Sequence, residues 1–572
     1  MSSRPTITQS SSLIDNHQVK TWQICLLISL LTALIYGLID LQTAFSGNWV
    51  VQDDARQHVF WLMRYVDPEL FPNDLIADYF QSVAPWGYTS LYKLGIGLGV
   101  DPFVWSKLIP IPLRMTTAYY FFVWCRTIFP LPVGCLISTL LLNHSLWLKD
   151  DLVSGTPRAF LYPLFLAFLY YFNREALIPC LLAIVGLSLF YPQMVFLAWG
   201  MLFLKLFSWP GSKIQINRKR SERNFAIAGL IVGFLVLLPY ALDASDYAPI
   251  ISRAKAFTMP EFNYGGRSNF FKGTIWEYLI GRGNGVLIST GVFKPLILLV
   301  ALFLPLLRKK SKKYPLSQKI SPQFSSINQL LLASLGMYLL AHAVLFKLHL
   351  PSRYTVHSLR IVVNLCAGLT LTIWFGRLWQ NLQRRYSLAK SRLLIVSTVV
   401  AIALISYANF LDSGSPTGYK IGQYPKLYDY LQQQPKNIVV ASLIKEADNL
   451  PSFGKRSVLV SREYAIPYQL GYYQQFSDRV RALIQAQYSS DSAILKNTIE
   501  KYQITHWLIE KHSFDLEYVQ KNRWLKQFQP EQQTAISNLT SEQVPLILAN
   551  RAACTVLETG DLMLLDTKCF LR

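Results

Sequence analysis

The chain has 572 residues, of which 52% are hydrophobic and only 15% are charged. Soluble domains carry about 25% charged residues, so this composition excludes an ordinary soluble protein and favours one that lies largely in a lipid bilayer. The net charge of +22 does not indicate nucleic-acid binding, because much of the basic excess lies in short loops between apolar segments. These loops contain Lys213, Arg218, Lys219, Arg220 and Arg223, then Arg308, Lys309, Lys310, Lys312 and Lys313, and then Arg377, Arg384, Arg385, Lys390 and Arg392.

Apolar segments recur along residues 22–410 and predict an α-helical polytopic membrane bundle of about eleven spans. Residues 1–21 are expected to form a disordered cytoplasmic N-terminus. The expected spans are residues 22–39, 107–128, 131–148, 159–172, 176–190, 194–207, 225–242, 286–307, 327–346, 355–374 and 393–410.

The basic loops also predict the topology, because Lys and Arg concentrate on the cytoplasmic side of membrane proteins. With the N-terminus in the cytoplasm, all three basic loops fall on that side. The extracytoplasmic side then receives the first outer loop, residues 49–102, and the tail from residue 411. It also receives residues 149–158, 243–284 and 349–354.

Two adjacent carboxylates, Asp53 and Asp54, follow the first span, with Arg56 and His58 close behind them. A carboxylate at a wet membrane surface can act as a general base on an acceptor hydroxyl. The pair could also bind a divalent cation, Mg²⁺ or Mn²⁺, together with a substrate diphosphate. The structural alternative is that one aspartate caps a short surface helix. We predict catalytic or metal-binding roles for Asp53 and Asp54, and substrate contacts for Arg56 and His58.

A second acidic pair, Asp150 and Asp151, lies in a short outer segment that also contains Arg158. The short segment holds these acids close to the mouth of the bundle. We therefore predict a catalytic role for Asp150 and Asp151, as acidic ligands or as contacts to substrate hydroxyls, and a substrate contact for Arg158. The alternative is a polar turn, for which Gly155 and Pro157 are suited.

Basic residues return at the outer end of the tenth span, where His349, Arg353, Tyr354 and Arg360 occur. Arg360 lies two turns inside the span, and charged groups at that depth face a cavity or a partner. Arginine suits bidentate contact with phosphate, so this group is predicted to bind a lipid-linked phosphate. The alternative, an arginine that extends to lipid headgroups, fits Arg353 well. Arg267, in a glycine-containing outer loop, is predicted to cover the substrate.

The tail, residues 411–572, carries charges of both signs and the patterns of a soluble domain. Alternating strand and helix patterns predict a small extracytoplasmic α/β domain. The expected strands are residues 437–443, 457–461 and 506–510, and the expected helices are residues 424–434, 466–489 and 492–502.

Cys554 and Cys569 flank a predicted hairpin centred near Gly560. They lie at nearly matched distances from the turn, so they can approach closely enough to bond. Disulfides persist in extracytoplasmic compartments. We therefore predict a bond between these two cysteines.

An acid pair directly after the first span, a second acidic outer loop, many spans and an outer tail together resemble the GT-C superfamily of membrane glycosyltransferases. These enzymes take sugars from polyprenyl-phosphate or polyprenyl-diphosphate carriers. The resemblance implies a base or metal ligand at Asp53 or Asp54, a second acidic position at Asp150 or Asp151, and a contact to the carrier phosphate at Arg353. The chain departs from the family pattern because its aspartates are adjacent rather than spaced as Asp-x-Asp, and because its tail has no WWD-type motif.

The leading prediction is a multi-pass glycosyltransferase that moves a sugar from a polyprenyl-linked donor to an extracytoplasmic glycan or lipid. Two other classes stay open. A transporter or flippase of lipid-linked glycans would place charges near the bilayer centre between repeated halves, whereas this chain concentrates acids in outer loops and shows no repeat. A non-enzymatic envelope-assembly protein would bind a partner through the tail and use the acids for structure.

Overall fold

The computed structural model describes residues 8–208, 214–242, 245–271, 274–281, 283–287, 291–385, 417–541 and 543–571. For residues 8–18, 291, 384 and 385 it describes the backbone alone. The expected last span, residues 393–410, lies outside the described residues.

Helices make up most of the described part of the chain before the tail. The α-helices are Thr8–Ala44 (α1), Ala55–His58 (α2), Leu75–Ser82 (α3), Trp86–Gly97 (α4), Pro102–Leu108 (α5), Pro110–Ile128 (α6), Pro132–Trp147 (α7), Leu161–Arg174 (α8), Leu177–Phe190 (α9), Gln193–Lys205 (α10), Arg220–Leu242 (α11), Arg253–Thr258 (α12), Ile275–Ile280 (α13), Leu304–Lys309 (α14), Ser325–Ala343 (α15) and Arg353–Arg385 (α16). Short 3₁₀ helices lie at Phe60–Tyr65, Asp150–Leu152, Pro157–Phe160, Pro260–Phe262, Gly291–Phe293, Leu296–Phe303, Pro315–Lys319 and Pro322–Phe324.

Several helices identify an integral membrane protein. Among the described residues, four are long and apolar enough to cross a bilayer, and they contain Val19–Ala44, Arg220–Leu242, Pro322–Ala343 and Arg353–Gln383. A fifth candidate is a pair of helices, Trp86–Gly97 and Pro102–Ile128, which meet at an angle of 111°. The predicted count of eleven spans is not confirmed, because other apolar helices such as α9 and α10 have 14 and 13 residues and a span needs about 20.

Three predicted elements differ from the structure. The N-terminal segment is helical from Thr8 onward, where disorder was expected, and no proline interrupts the chain between this residue and Ala44. The expected span at residues 107–128 is broken before Pro110, which begins α6. The expected span at residues 286–307 contains a 3₁₀ helix followed by α14. Proline explains the last two differences, because it has no N–H for helical hydrogen bonding.

The close approach of α7 and α16 positions the outer end of the bundle. A Cβ atom on Gly368 of α16 would lie 2.1 Å from Ser138 Oγ of α7, so only glycine fits at this crossing. The segment containing the second acidic pair follows α7, and α16 begins with Arg353. The two elements therefore bring the acidic outer segment and the basic helix start to the same end of the bundle.

The start of the tail pairs with the start of the first outer loop. Strand β1, Val50–Gln52, forms an antiparallel ladder with β4, Tyr419–Ile421, in which Val51 lies opposite Lys420. The ladder continues into the acids, because the main-chain N–H of Asp53 donates to the carbonyl of Gly418 at 3.0 Å. Gly418 has φ +64, a left-handed conformation that suits glycine. A second small ladder joins Phe207–Ser208 (β2) and Gln215–Ile216 (β3).

The tail contains a five-stranded mixed sheet, which confirms its predicted α/β character. The strands are ordered β6-β5-β7-β9-β8, with parallel pairing of β5 to β6 and β7 and antiparallel pairing of β9 to β7 and β8. The strands are Val439–Ser442 (β5), Ser457–Val458 (β6), His506–Glu510 (β7), Thr555–Thr559 (β8) and Leu562–Asp566 (β9). The α-helices are Pro425–Gln433 (α17), Leu450–Phe453 (α18), Leu470–Gln487 (α19), Ser492–Tyr502 (α20), Leu516–Lys521 (α21), Glu531–Thr540 (α22), Leu546–Cys554 (α23) and Lys568–Leu571 (α24), and 3₁₀ helices lie at Lys445–Asp448, Arg462–Tyr464 and Leu525–Gln527.

The predicted disulfide is confirmed. Cys554 and Cys569 are bonded, with their α-carbons 5.5 Å apart. Strands β8 and β9 form the hairpin between them, and Gly560 at its turn has φ +59. The bond therefore ties the two ends of the closing hairpin together.

Candidate active site

The two acidic pairs, which are distant in sequence, meet around the guanidinium group of Arg158. Its Nη2 atom lies 2.6 Å from Asp54 Oδ2 and 3.3 Å from Asp150 Oδ2, and its Nη1 atom lies 3.4 Å from Asp151 Oδ1. A Cβ atom placed on Gly418 would lie 3.9 Å from the Cβ of Asp150 and 4.0 Å from that of Asp53. Asp53, Asp54, Asp150 and Asp151 thus form one acidic cluster.

The turn into α2 is capped by Gln52, not by an aspartate side chain. The Oε1 atom of Gln52 accepts hydrogen bonds from the main-chain N–H groups of Asp54 at 2.9 Å and Ala55 at 3.3 Å. Asp54 occupies the N-cap position without making a side-chain capping bond. The capping alternative is therefore wrong for Asp54, whose carboxylate is available for other contacts and is 37% exposed. Asp53 and Asp150 are similarly exposed, at 38% and 39%.

Asp151 differs from the other three acids because its side chain is buried, with 7% exposed. It pairs with Arg360, which is 3% exposed, and accepts a hydrogen bond from the Tyr162 hydroxyl at 3.1 Å. The same hydroxyl lies 2.8 Å from Arg360 Nη1 and 2.9 Å from His357 Nδ1. Arg360, two turns inside α16, therefore has the buried partner expected of a charged group at that depth.

The tail holds the other side of the cluster. Arg56 pairs with Asp53 and also contacts Glu463 at 3.4 Å and Asn449 Oδ1 at 3.0 Å. Glu463 in turn pairs with Arg267 at 2.9 Å. Two residues predicted to bind substrate, Arg56 and Arg267, are thus joined through one tail carboxylate.

The predicted phosphate contact, Arg353, keeps unused donors. It forms no ion pair among the described residues, and its buried Nε atom has no hydrogen-bond partner. Ser352 Oγ and His357 Nε2 are also buried without partners. Beside them, His349 adopts φ +62 in the turn that leads into α16, and the Tyr354 hydroxyl donates to the carbonyl of Leu348 at 2.8 Å. Tyr354 therefore supports the turn.

Sequence reasoning missed several members of this site. Tyr162 and His357 lie inside predicted spans, where a polar group among apolar neighbours was an available signal. Glu463 and Asn449 had no such signal, because their partners in the first outer loop are far away in the sequence. Gln57 and Glu463, for example, are in contact but 406 positions apart. The remaining predicted residue, His58, packs edge-to-face on Phe80 with ring centres 6.2 Å apart.

Comparison with known proteins identifies the fold. No protein-family model matches the chain, and no curated protein is significantly similar to it. The crystal structure of the Archaeoglobus fulgidus oligosaccharyltransferase tethered with an acceptor peptide containing the NVT sequon matches with a TM-score of 0.54, 12% identity and coverage of 88% of this chain and 72% of that one. AglB from the same organism, in complex with an inhibitory peptide and a dolichol-phosphate, matches with a TM-score of 0.55, 12% identity and coverage of 90% and 72%.

The chain has the GT-C fold. The resemblance predicted from the sequence is confirmed for the fold. A similarity with only 12% sequence identity shows the fold and nothing further. Within the GT-C fold, the acidic cluster lies where the first outer loop, the segment after α7 and the start of the tail meet.

The GT-C resemblance also implied a divalent cation at Asp53 and Asp54, but the residues as arranged do not fit one. Mg²⁺ needs oxygen ligands at about 2.0–2.1 Å in octahedral geometry. The guanidinium of Arg158 lies between Asp54 and Asp150, where such ligands would have to converge. Although the four aspartates are neighbours, no three His, Cys, Asp or Glu side chains within the described ranges are arranged so that they could hold a metal ion together.

Neighbouring positive groups keep two acids of the cluster ionised. Partial removal from water raises the pKa of Asp54, but Arg158, with smaller contributions from His58 and Arg353, outweighs this and holds the pKa below its usual value. Burial also raises the pKa of Asp151, but Arg158 and Arg360 outweigh this effect and hold the pKa far below its usual value. Both carboxylates are therefore charged at neutral pH.

Two histidines near the acidic cluster, His58 and His349, are uncharged at neutral pH. Burial lowers the pKa of His58 below its usual value, although Asp54 opposes the shift. Burial and the nearby charge of Arg353 lower the pKa of His349 to about 3. At neutral pH the positive charge around Asp54 thus comes mainly from arginine.

Proposed function

We propose that this protein is a membrane glycosyltransferase that transfers a sugar from a polyprenyl-linked phosphate donor to a hydroxyl group of an extracytoplasmic glycan or lipid. The observation that carries the proposal is the position of Asp54, an ionised and partly exposed carboxylate that contacts Arg158 and lies within the electrostatic influence of Arg353. A base and an anion-binding group therefore lie close together. Transfer from a phosphate carrier needs both.

In the proposed reaction, Asp54 takes the proton of the acceptor hydroxyl while the hydroxyl oxygen attacks C1 of the donor sugar. The bond between C1 and the phosphate oxygen breaks, and its electron pair leaves with the phosphate. Arg158 contacts Oδ2 of Asp54, which leaves Oδ1 for the acceptor. Asp53 suits this role less well, because it pairs with Arg56 and lies 3.7 Å from Lys420.

The departing phosphate would be held at the start of α16. Arg353 supplies positive charge and an unpartnered Nε–H, and Ser352 supplies an unpartnered hydroxyl. An arginine with free N–H donors suits a phosphate better than a lysine does, because its planar guanidinium can donate two parallel hydrogen bonds. The fold supports a lipid-linked donor, since AglB has been determined in complex with a dolichol-phosphate.

A transfer assay tests this proposal. The purified full-length protein in nanodiscs is given a panel of radiolabelled polyprenyl-phosphate and polyprenyl-diphosphate sugars together with short glycan and lipid acceptors. For a donor that supports turnover, Arg353→Ala should raise KM by about 10–100-fold, because a hydrogen bond to a charged group contributes about 1.5–3 kcal/mol. Its melting temperature should stay close to that of the native chain.

Lys347→Ala provides the matched control, because Lys347 is an exposed cation of the turn before α16. It should leave KM unchanged. No turnover with any donor, or an unchanged KM in Arg353→Ala, would count against the proposed donor site.

We also propose that the N-terminus is cytoplasmic and the tail extracytoplasmic. The basic loops support this orientation, and so does the Cys554–Cys569 bond, since disulfides are rare in the cytoplasm. In intact cells treated with a membrane-impermeant maleimide, both cysteines should stay unlabelled until an impermeant reductant is added. Labelling that requires cell lysis would place the tail in the cytoplasm.

A further inference from the structure

The guanidinium of Arg158 is the centre of the acidic cluster. Three carboxylates from two outer segments contact it at 2.6, 3.3 and 3.4 Å. We propose that Arg158 is the built-in cation of this site, and that the protein works without a divalent metal ion at the acidic cluster. This inference rests on the proposed function for its link to turnover, but the assignment of Arg158 itself rests on geometry.

The charges around Arg158 leave little room for a second cation. Asp54, Asp150 and Asp151 carry three negative charges, while Arg158 and Arg360 supply two positive charges at salt-bridge distance. A divalent cation would have to displace Arg158, whose side chain is only 17% exposed, and leave its charge without partners. Removing the partners of a mostly buried charge is costly.

The location of Arg158 in the chain suits this role. It lies in the 3₁₀ helix Pro157–Phe160, eight positions after Asp150, so the segment that supplies two of the acids also supplies their counter-ion. Its planar group can contact several carboxylates at fixed angles, which a lysine cannot do. Its Nε–H is buried and has no partner, so Arg158 retains a donor for a substrate oxygen after it has joined the acids.

Binding of Mn²⁺ to the full-length protein in nanodiscs tests the assignment independently of turnover. Free Mn²⁺ has a strong electron paramagnetic resonance signal that bound Mn²⁺ loses. The native chain should leave this signal unchanged when protein and metal are equimolar. Arg158→Ala leaves Asp54 and Asp150 without their arginine partner beside Asp151 and should remove up to one equivalent of free Mn²⁺, and Asp54→Asn in the same chain should restore the signal.

Arg64→Ala is the matched control, because Arg64 pairs with Asp78 in the same outer loop at 2.7 Å. It should gain no Mn²⁺ binding. The native chain decides the question even if Arg158→Ala does not fold. Binding of one equivalent of Mn²⁺ that Asp54→Asn abolishes would overturn the proposal, as would turnover that EDTA abolishes and Mn²⁺ restores.

The two proposals fail in different ways. If the native chain binds no Mn²⁺ and no donor supports transfer, the assignment of Arg158 stands and the proposed function fails. If transfer occurs but needs Mn²⁺ held by Asp54, the function stands and Arg158 is not the cation of the site.

Discussion

Replacing Asp54 by asparagine is expected to lower kcat by about 10²–10⁴-fold, the usual contribution of a general base. Asparagine keeps the shape of the side chain but cannot take the acceptor proton. The carboxylate is partly exposed and makes no capping bond, so the fold should tolerate the change. Initial rates with a donor identified in the transfer assay measure the effect.

Two further variants distinguish loss of the catalytic base from loss of any negative charge in the first outer loop. Asp53→Asn should lower kcat less than Asp54→Asn, because Asp53 is already committed to Arg56 and the tail. Asp78→Asn, in the same loop but paired with Arg64, should have no effect. Equal losses in the Asp53 and Asp54 variants would contradict the assignment of Asp54 as the base.

The pH profile offers a second readout of the same residue. The pKa of Asp54 lies below its usual value because of Arg158, so the base stays ionised as the pH falls. If Asp54 is the base, the native chain should therefore show no loss of kcat/KM from this group between about pH 8 and pH 5, since an unperturbed aspartate has a pKa near 3.9.

Replacing Arg360 by methionine is expected to destabilise the protein by about 3–5 kcal/mol, because it removes the nearer of the two arginines that pair with the buried Asp151 carboxylate. Asp151 and Arg360 are 7% and 3% exposed, so water cannot replace the lost partner. Unfolding of the purified protein by SDS in mixed micelles measures the change.

A second substitution identifies the cause of this loss. Adding Asp151→Asn to Arg360→Met removes the buried charge that has lost its nearer partner, and the double variant should regain much of the lost stability. Lys521→Met breaks an exposed pair with Glu517 and should change little. A double variant less stable than Arg360→Met would show that Asp151 has another essential role, such as holding Arg158.

The sequence predicted most reliably those elements whose boundaries are set locally. The strand at residues 506–510 and the helix at residues 492–502 have the predicted bounds, and the disulfide followed from the symmetry of its hairpin. The helix expected from residue 466 begins at Leu470 instead, after Pro467, which disfavours helix at the preceding residue. Membrane spans were harder, because prolines divide apolar runs into pieces that hydropathy alone joins.

The candidate site could be predicted only in part, for a related reason. Adjacent acids are visible in the sequence, and so is an arginine inside an apolar span. Their partners are not, because Asp151 and Arg360 are 209 residues apart, and Gln57 and Glu463 are 406 apart. Only the fold shows that Arg158 joins both acid pairs and that a tail carboxylate joins Arg56 to Arg267.

The ladder between β1 and β4 has a consequence for biosynthesis. Asp53 receives its main-chain partner only when residue 418 has been made, and Arg56 receives Glu463 later still. A ribosome therefore completes every described helix of the bundle before Asp53 and Arg56 gain these tail contacts. The start of the first outer loop is therefore among the last parts of the bundle to be completed, since it gains its strand partner only when the tail emerges.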